Sequence, residues 1–99
     1  MDFQPMSEAA FYVLLALTRE DHGYSVMQRI EKISHGNVIM GPGTLYGILS
    51  RLREWKLIEL RKEDDRRKTY CITEKGREEL RREYMRLKRM VSDGESEGI

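Results

Sequence analysis

The chain has 99 residues, of which 35% are charged and 39% are hydrophobic, and its formal net charge is +1. This length suits a single domain with a modest core, and the near-zero net charge gives no sign of nucleic-acid binding. The single cysteine, Cys71, excludes an internal disulfide and cannot by itself form a zinc site. Any function in binding nucleic acid therefore depends on where the charges lie.

No segment looks suited to a membrane or to export. The longest apolar run, Ala9 to Leu17, is shorter than the ~20 residues of a membrane-spanning helix. The first residues lack the basic region of a signal peptide, and no small-residue cleavage site follows the apolar run. We expect a cytoplasmic protein that makes no contact with membranes.

The first predicted helix is apolar on almost every side. Ser7 is its expected N-cap, and nearly every residue from Ala9 to Leu17 is hydrophobic. Since a surface helix of a monomer carries a polar stripe, we expect this one to be covered by its own domain and by a partner subunit. The alternative is a central core helix. The expected interface residues here are Phe11, Leu14 and Leu15.

A second helix follows His22 and Gly23. Val26, Met27 and Ile30 recur in it at helical spacing, and Gly36 suits a left-handed cap at its end. A third helix begins near Pro42. Its apolar stripe consists of Leu45, Ile48, Leu49 and Leu52.

The other face of the third helix is a candidate for reading DNA. A helix in the major groove needs small residues for close approach, hydroxyl groups for base edges and cations for phosphates. Gly47, exposed in mid-helix, costs ~1 kcal/mol relative to alanine and therefore indicates such an approach. The alternative is an amphipathic helix with a solvated face. The candidate residues are Gly43, Thr44, Tyr46, Gly47, Ser50, Arg51 and Arg53.

A β-hairpin with a basic tip is predicted next. Leu57 to Lys62 and Lys68 to Ile72 alternate between apolar and polar residues, and the polar residues 63–66 separate them. A basic hairpin after a helix-turn-helix is typical of a wing that contacts the DNA backbone or minor groove. Asp64 and Asp65 reduce the local charge, so few phosphate contacts are expected. The basic residues at the tip are Arg66, Arg67 and Lys68.

The last helix carries a heptad-like seam suited to pairing with another helix. Thr73 is the expected N-cap, and the polar residues 92–99 are expected to form a disordered tail. The predicted fold is mainly α with a small β-hairpin: a winged helix-turn-helix over 1–72 and a dimerisation helix over 73–91. The seam residues are Leu80, Tyr84, Leu87 and Val91.

No motif of catalysis or cofactor binding is found. The two histidines have no ligand-spaced partner, and nucleophile–base pairs, phosphate-binding loops and paired acids are lacking. The sequence therefore predicts neither an enzyme, nor a metal site, nor a cofactor.

Three segments together resemble the PadR family of bacterial and archaeal transcriptional regulators. They are HGYSVMQRI, PGTLYGILSRLREWKLIE and RRKTYCITEKGREEL, and the resemblance extends from about Ser7 to Val91. It implies a subgroup that dimerises through the first helix and a single C-terminal helix. It also implies that Tyr24 and Ser25 lie near DNA phosphates, in addition to the recognition-helix and wing residues named above.

The joint between the third helix and the wing departs from the family pattern. Lys56 stands where relatives often have glycine, so it must adopt a left-handed conformation or end the helix differently. Trp55 is interpreted as a packing residue rather than a platform for an aromatic effector. Some relatives bind flat hydrophobic compounds in the dimer cavity, and the corresponding position on the last helix is Tyr84.

These features predict a homodimeric regulator of transcription, a repressor that binds a pseudo-palindromic DNA operator and is released by a small hydrophobic effector. Two alternatives stay open. One is a winged helix used for protein–protein contacts, against which the basic wing and Gly47 argue. The other is a ligand-binding dimer with weak DNA binding, which the near-zero net charge favours.

Overall fold

The computed structural model describes residues 5–99, and the first four residues of the predicted winged-helix domain lie outside this range. These 95 described residues form four helices and a three-stranded antiparallel sheet. The order and bounds of these elements are α1 (Glu8–Ala16), β1 (Asp21–His22), α2 (Gly23–Ile33), α3 (Pro42–Glu54), β2 (Ile58–Asp64), β3 (Arg67–Ile72) and α4 (Glu74–Ser96).

Helix α1 lies at the centre of the core. Ser7 caps it as predicted, with its Oγ accepting a hydrogen bond from the backbone N–H of Ala10 at 3.1 Å. Leu14 is completely buried within the protomer, so the prediction that it forms part of a subunit interface is wrong. Phe11 and Leu15 are only half-buried and pack at the edge of the core. The central-helix alternative thus accounts for Leu14 but not for these two residues.

The connection from α2 to α3 begins with a turn that the side chain of Ser34 closes. Ser34, which is buried, accepts a hydrogen bond at Oγ from the backbone N–H of Val38 at 3.0 Å. His35 and Gly36 adopt left-handed conformations with φ of 54° and 79°. The backbone N–H of His35 donates to the carbonyl of Lys32 and that of Gly36 to the carbonyl of Glu31, so the left-handed cap residue is His35, and Gly36, the predicted cap, is the residue after it.

The sheet contains one strand more than the predicted hairpin. Its order is β1-β3-β2, with Asp21 opposite Tyr70 and His22 opposite Thr69. A strand of two residues has no alternation that a sequence could reveal. The register slips between Leu60 and Lys62, so Arg61 is the extra residue of a β-bulge.

The joint after α3 is a helix cap built on a lysine. Lys56 has φ 63°, and its backbone N–H donates to the carbonyl of Arg53, while that of Leu57 donates to the carbonyl of Leu52. This is the hydrogen-bond pattern of a Schellman motif, in which glycine is the usual left-handed residue. Trp55 is 54% exposed, so its interpretation as a packing residue is wrong.

Helix α4 begins inside the winged-helix core. Thr73 caps it by accepting the N–H of Gly76 at 3.0 Å. Gly76, Leu80 and Glu83 are buried against the rest of the protomer. Leu80 is therefore a core residue, and its assignment to a free dimer seam is wrong. The packing shows no break at the predicted boundary between residues 72 and 73.

The helix also continues further than predicted. It extends to Ser96, so the prediction of a disordered tail over 92–99 is wrong for residues 92–96. Gly98 has φ 84°, and the backbone N–H of Ile99 donates to the carbonyl of Gly94 at 3.4 Å. Together with the hydrogen bond from the backbone N–H of Gly98 to the carbonyl of Glu95, these contacts form another Schellman cap, which satisfies the terminal carbonyls of a segment with poor helix-forming residues.

The second half of α4 leaves the core with an uncovered apolar face. The exposed fractions are 52% for Tyr84, 37% for Leu87 and 65% for Val91, and Met85 and Met90 are about half exposed. Within residues 5–99, no helix is both long and apolar enough to cross a membrane. In the same range, no cluster of three or more histidine, cysteine or acidic side chains could hold a metal ion.

Candidate nucleic-acid interface

A groove of about 1040 Å³ opens where the start of α2, one side of α3 and the tip of the hairpin meet. Helix α3 contributes its polar stripe, and the hairpin contributes both arms of its turn. The side chains and backbone that line the groove belong to His22, Gly23, Tyr24, Tyr46, Leu49, Ser50, Arg53, Glu54, Glu63, Asp65, Arg66, Arg67, Lys68 and Tyr70.

The ring of Tyr46 lies against the first residue of α2. A Cβ atom placed on Gly23 would be 2.5 Å from the Tyr46 Oη and 3.0 Å from its Cζ. Tyr46 is nevertheless 49% exposed, so one edge of its ring is packed while the rest faces the groove. The hydroxyl group is thereby held at the point where α2 and α3 meet.

The charge of the groove is mixed. Its cations are Arg53, Arg66, Arg67 and Lys68, and its carboxylates are Glu54, Glu63 and Asp65. All seven side chains are exposed to solvent. Four cations against three carboxylates leave one excess positive charge, which agrees with the near-neutral composition of the chain. Cations at the hairpin tip can contact phosphates, but the groove as a whole has no strong positive field.

The structure brings seven of the predicted DNA-binding residues together in this groove. They come from three separate segments of the chain, since three lie on α3, three on the hairpin and one on α2. These residues are Tyr24, Tyr46, Ser50, Arg53, Arg66, Arg67 and Lys68.

Four other predicted residues lie on α3 outside the groove. Thr44, Gly47 and Arg51 follow one another at intervals of three and four residues, which makes them a second stripe beside that of Tyr46, Ser50 and Arg53. Gly43 lies at the start of the helix, and all four are exposed.

Ser25 has a local partner. Its Oγ donates to the Oδ2 of Asp21 at 2.8 Å, while Asp21 Oδ1 accepts the backbone N–H of His22 at 2.8 Å. Ser25 is half-buried and does not line the groove. Its hydroxyl therefore helps to fix the start of α2, next to Tyr24.

The sequence did not point to His22, Glu54 or Glu63 as groove residues. His22 belongs to β1, which is too short to predict, and it reaches the groove only because that strand pairs with β3. Glu54 lies one helical turn beyond Ser50, a spacing that could have identified it. Glu63 could be identified as a groove residue only from the position of the hairpin relative to α3, which the sequence does not reveal.

Arg61 is separated from the basic tip by its ion pairs. Its guanidinium lies 3.1 Å from Glu59 Oε1 and 3.6 Å from Glu20 Oε1. The hydrogen bond from Arg61 to Glu59 is the main cause of a raised pKa for this already basic group. Arg61 does not line the groove, so the positive charge that the hairpin contributes to the groove comes from Arg66, Arg67 and Lys68.

Comparison with known proteins agrees with this geometry. A profile of the PadR-like family of transcriptional regulators matches residues 13–82. The chain is 37% identical over 70 residues to the transcriptional regulator YqjI of Escherichia coli, covering 70% of this chain and 34% of that protein. An uncharacterised transposon protein of Streptomyces fradiae is 38% identical over 85 residues, covering 85% of this chain and 24% of that protein. The chain thus spans a quarter to a third of these relatives.

Solved structures resemble the chain over nearly its whole length. A PadR-like transcriptional regulator from Bacillus cereus has 26% sequence identity and a TM-score of 0.72, covering 89% of this chain and 88% of that one. A PadR-like transcription factor from Bacteroides fragilis gives a TM-score of 0.76 at 22% identity, covering 89% and 87% of the two chains. The predicted winged-helix fold is confirmed. The chain belongs to the PadR-like family of transcriptional regulators.

Proposed function

We propose that this protein binds an operator in double-stranded DNA through the groove between α3 and the hairpin and thereby represses transcription. The observation that carries the proposal is the meeting of the polar stripe of α3 with three cations of the hairpin tip in one open groove. Helices read bases in the major groove, while basic hairpins contact the adjacent backbone. This juxtaposition supplies both kinds of contact from one surface.

Different side chains of the groove are suited to different parts of the DNA. Tyr46 and Ser50 offer hydroxyl groups to base edges, and Arg66 to Lys68 offer charge to phosphates. The second stripe of α3, with Thr44, Gly47 and Arg51, faces the opposite wall of the same major groove. A methyl group on Gly47 would meet no other part of the protein within 4 Å, so the missing side chain leaves room for DNA.

The start of α3 supports the same orientation. Gly41 is its N-cap, no side chain caps the helix, and the first turn contains no acidic residue. The positive end of the helix dipole and the free N–H groups of this turn therefore remain available to a backbone phosphate.

The proposed assembly is a homodimer. The exposed apolar face of α4, around Tyr84, Leu87 and Val91, supports this because such a surface is costly to leave in water. The half-buried Phe11 and Leu15 would extend the interface. Two-fold symmetry would place two α3 helices in successive major grooves, about 10 base pairs apart.

Release by a small hydrophobic effector is the proposed form of regulation. A compound held between the two α4 helices, beside Tyr84, would change their spacing and with it the distance between the two recognition helices. The operator affinity would then fall by the difference in binding free energy of the compound between the two states.

A salt titration on duplex DNA tests the DNA-binding proposal. Selection from a random duplex pool supplies the operator, whose dyad spacing reports the half-site distance. Because four cations line the groove and each neutralised phosphate contributes about 0.9 to the slope, log Kd against log salt should have a slope of about 2 to 4 per protomer.

Two hairpin variants sharpen this test. The double variant Arg66→Gln with Arg67→Gln should lower the slope by about 2 per protomer, since each lost phosphate contact removes about 0.9. Arg61→Gln is the matched control on the same hairpin, because Arg61 is paired with Glu59 and Glu20 outside the groove. Equal losses in both variants, or a salt-independent affinity of the original chain, would contradict the proposal.

Sedimentation tests the dimer. Leu87→Glu places a carboxylate on the apolar face of α4 and should give a monomer. Arg89→Glu is the control, since two residues further along the helix correspond to a rotation of about 200°. A dimer that persists in Leu87→Glu would exclude this interface.

A further inference from the structure

We propose that Gly23 is a positioning residue for DNA recognition: the absence of a side chain at this position fixes where Tyr46 presents its hydroxyl group in the groove. The inference rests on the proposed DNA-binding function and extends it to a residue of α2 with no side chain of its own. Gly23 lies at the first position of α2, is buried, and forms part of the groove wall.

The geometry shows that the tyrosine occupies the space of the missing side chain. The three atoms nearest to a Cβ on Gly23 all belong to Tyr46, with Oη at 2.5 Å, Cζ at 3.0 Å and Cε1 at 3.3 Å. Real Cβ atoms are essentially never found within 3.0 Å of a heavy atom from a residue that is not their neighbour in the chain. An alanine at position 23 would therefore require the ring of Tyr46 to move.

The backbone gives no other reason for this glycine. The φ angle of Gly23 lies outside the left-handed region, unlike those of Gly36 and Gly98. Alanine is also intrinsically better than glycine within a helix. In the folded protein, a glycine at this position therefore provides space for the ring of Tyr46.

Filling this space would change the groove rather than the core. Tyr46 is 49% exposed, so its ring can swing outward without opening a cavity. The displaced hydroxyl group would then lie away from the junction of α2 and α3 and obstruct the groove beside Ser50. Gly23→Ala should therefore leave the fold intact and weaken the binding of DNA.

The first part of the test is made without DNA. Aromatic NMR spectra of the full chain contain signals from five tyrosines, and the signal that disappears in Tyr46→Phe identifies Tyr46. Gly23→Ala should shift this signal while those of Tyr12, Tyr70 and Tyr84 stay in place. The fluorescence of Trp55 reports whether the stability against denaturant is retained. An unmoved Tyr46 signal would overturn the proposal.

The second part is a double-mutant cycle on operator DNA obtained from a random pool. Gly23→Ala should weaken binding about tenfold, the scale of one base contact. In a Tyr46→Ala background the same substitution should have almost no effect, because no ring remains to be displaced. Equal losses in both backgrounds would mean that Gly23 acts independently of Tyr46, which overturns the inference.

The two proposals fail in distinguishable ways. If the original chain binds no duplex at low salt, the proposed function is wrong and the inference falls with it. If the original chain binds its selected operator and Gly23→Ala binds equally well, only the positioning role of Gly23 is excluded.

Discussion

Thr73 joins the end of α3 to the beginning of α4 through its side chain and backbone. Its Oγ1 donates to the carbonyl oxygen of Lys56 at 2.7 Å and accepts the N–H of Gly76 at 3.0 Å. The backbone N–H of Thr73 also donates to the carbonyl of Leu57 at 3.0 Å. One threonine thus caps a helix and closes the turn that leads from α3 into the hairpin.

Replacing Thr73 by valine should lower the free energy of unfolding by about 1–2 kcal/mol, because the N-cap and the hydrogen bond to Lys56 are lost together. Thr73→Ser keeps the hydroxyl group and should cost less than about 0.5 kcal/mol. Denaturant unfolding followed by Trp55 fluorescence measures both. A loss in Thr73→Ser with no loss in Thr73→Val would assign the effect to the methyl group instead of the hydroxyl.

Lys56→Gly should stabilise the protein. The left-handed φ of 63° at Lys56 strains any residue that carries a Cβ atom, and removing that atom should raise the free energy of unfolding by about 0.5–1 kcal/mol. Thermal unfolding compares this variant with Lys56→Ala, which removes the charge but keeps the strain. An equal gain in both would assign the effect to the lysine side chain instead of the backbone.

Gly47→Ala should change stability and DNA binding in opposite directions. Alanine in the interior of α3 should raise the free energy of unfolding by up to ~1 kcal/mol, and no other part of the protein lies within 4 Å of the added methyl group. The same methyl group should weaken operator binding if DNA approaches this face closely. Unfolding curves and binding isotherms measured on the same preparation test both effects. An unchanged affinity for DNA would show that Gly47 is not part of the DNA interface.

The buried Glu83 should make stability depend on acidic pH. The hydrogen bonds from Arg86 hold the pKa of Glu83 below its ordinary value, with the charge of Arg86 and the N–H of Met6 acting in the same direction and burial opposing them. A lowered folded-state pKa stabilises the protein above the unfolded pKa of ~4.3, and this contribution is lost as the pH falls below that value.

Glu83→Gln should therefore lose roughly 1–2 kcal/mol at pH 7 and show a smaller decline in stability between pH 5 and pH 3, because the substituted amide does not titrate. Glu79→Gln is the matched control, since Glu79 makes a more exposed pair with Arg82. Denaturant titrations at several pH values provide the comparison. Parallel pH profiles for the original chain and Glu83→Gln would contradict the role assigned to this carboxyl group.

Much of the architecture could be read from the sequence because it depends on local signals. Ser7 and Thr73 cap helices as expected, Pro42 starts α3, and the apolar stripe from Leu45 to Leu52 is buried. Each of these features is encoded within one or two helical turns. At Lys56 the family resemblance left two outcomes open, and the structure shows the left-handed one.

The errors at Leu14 and Leu80 concern packing between distant segments. Leu14 and Leu80 fit the pattern of a subunit interface, yet both are buried within one protomer because α1 and α4 meet there. The strand β1 exists only through its pairing with Thr69 and Tyr70. The end of α4 was missed for a different reason. The cap formed by Gly98 and Ile99 is a local feature, but it lies in a segment whose composition suggested disorder.

The contact between Gly76 and Leu57 bears on how motion would travel through this protein. A Cβ atom on Gly76 would collide with the backbone carbonyl of Leu57, so the two main chains touch with no side chain between them. Side chains can change rotamer and absorb a small displacement, whereas backbone in direct contact cannot. A tilt of the first turns of α4 would therefore turn the hairpin and α3 with it as one body, and the joint would act as a stiff coupling instead of a hinge.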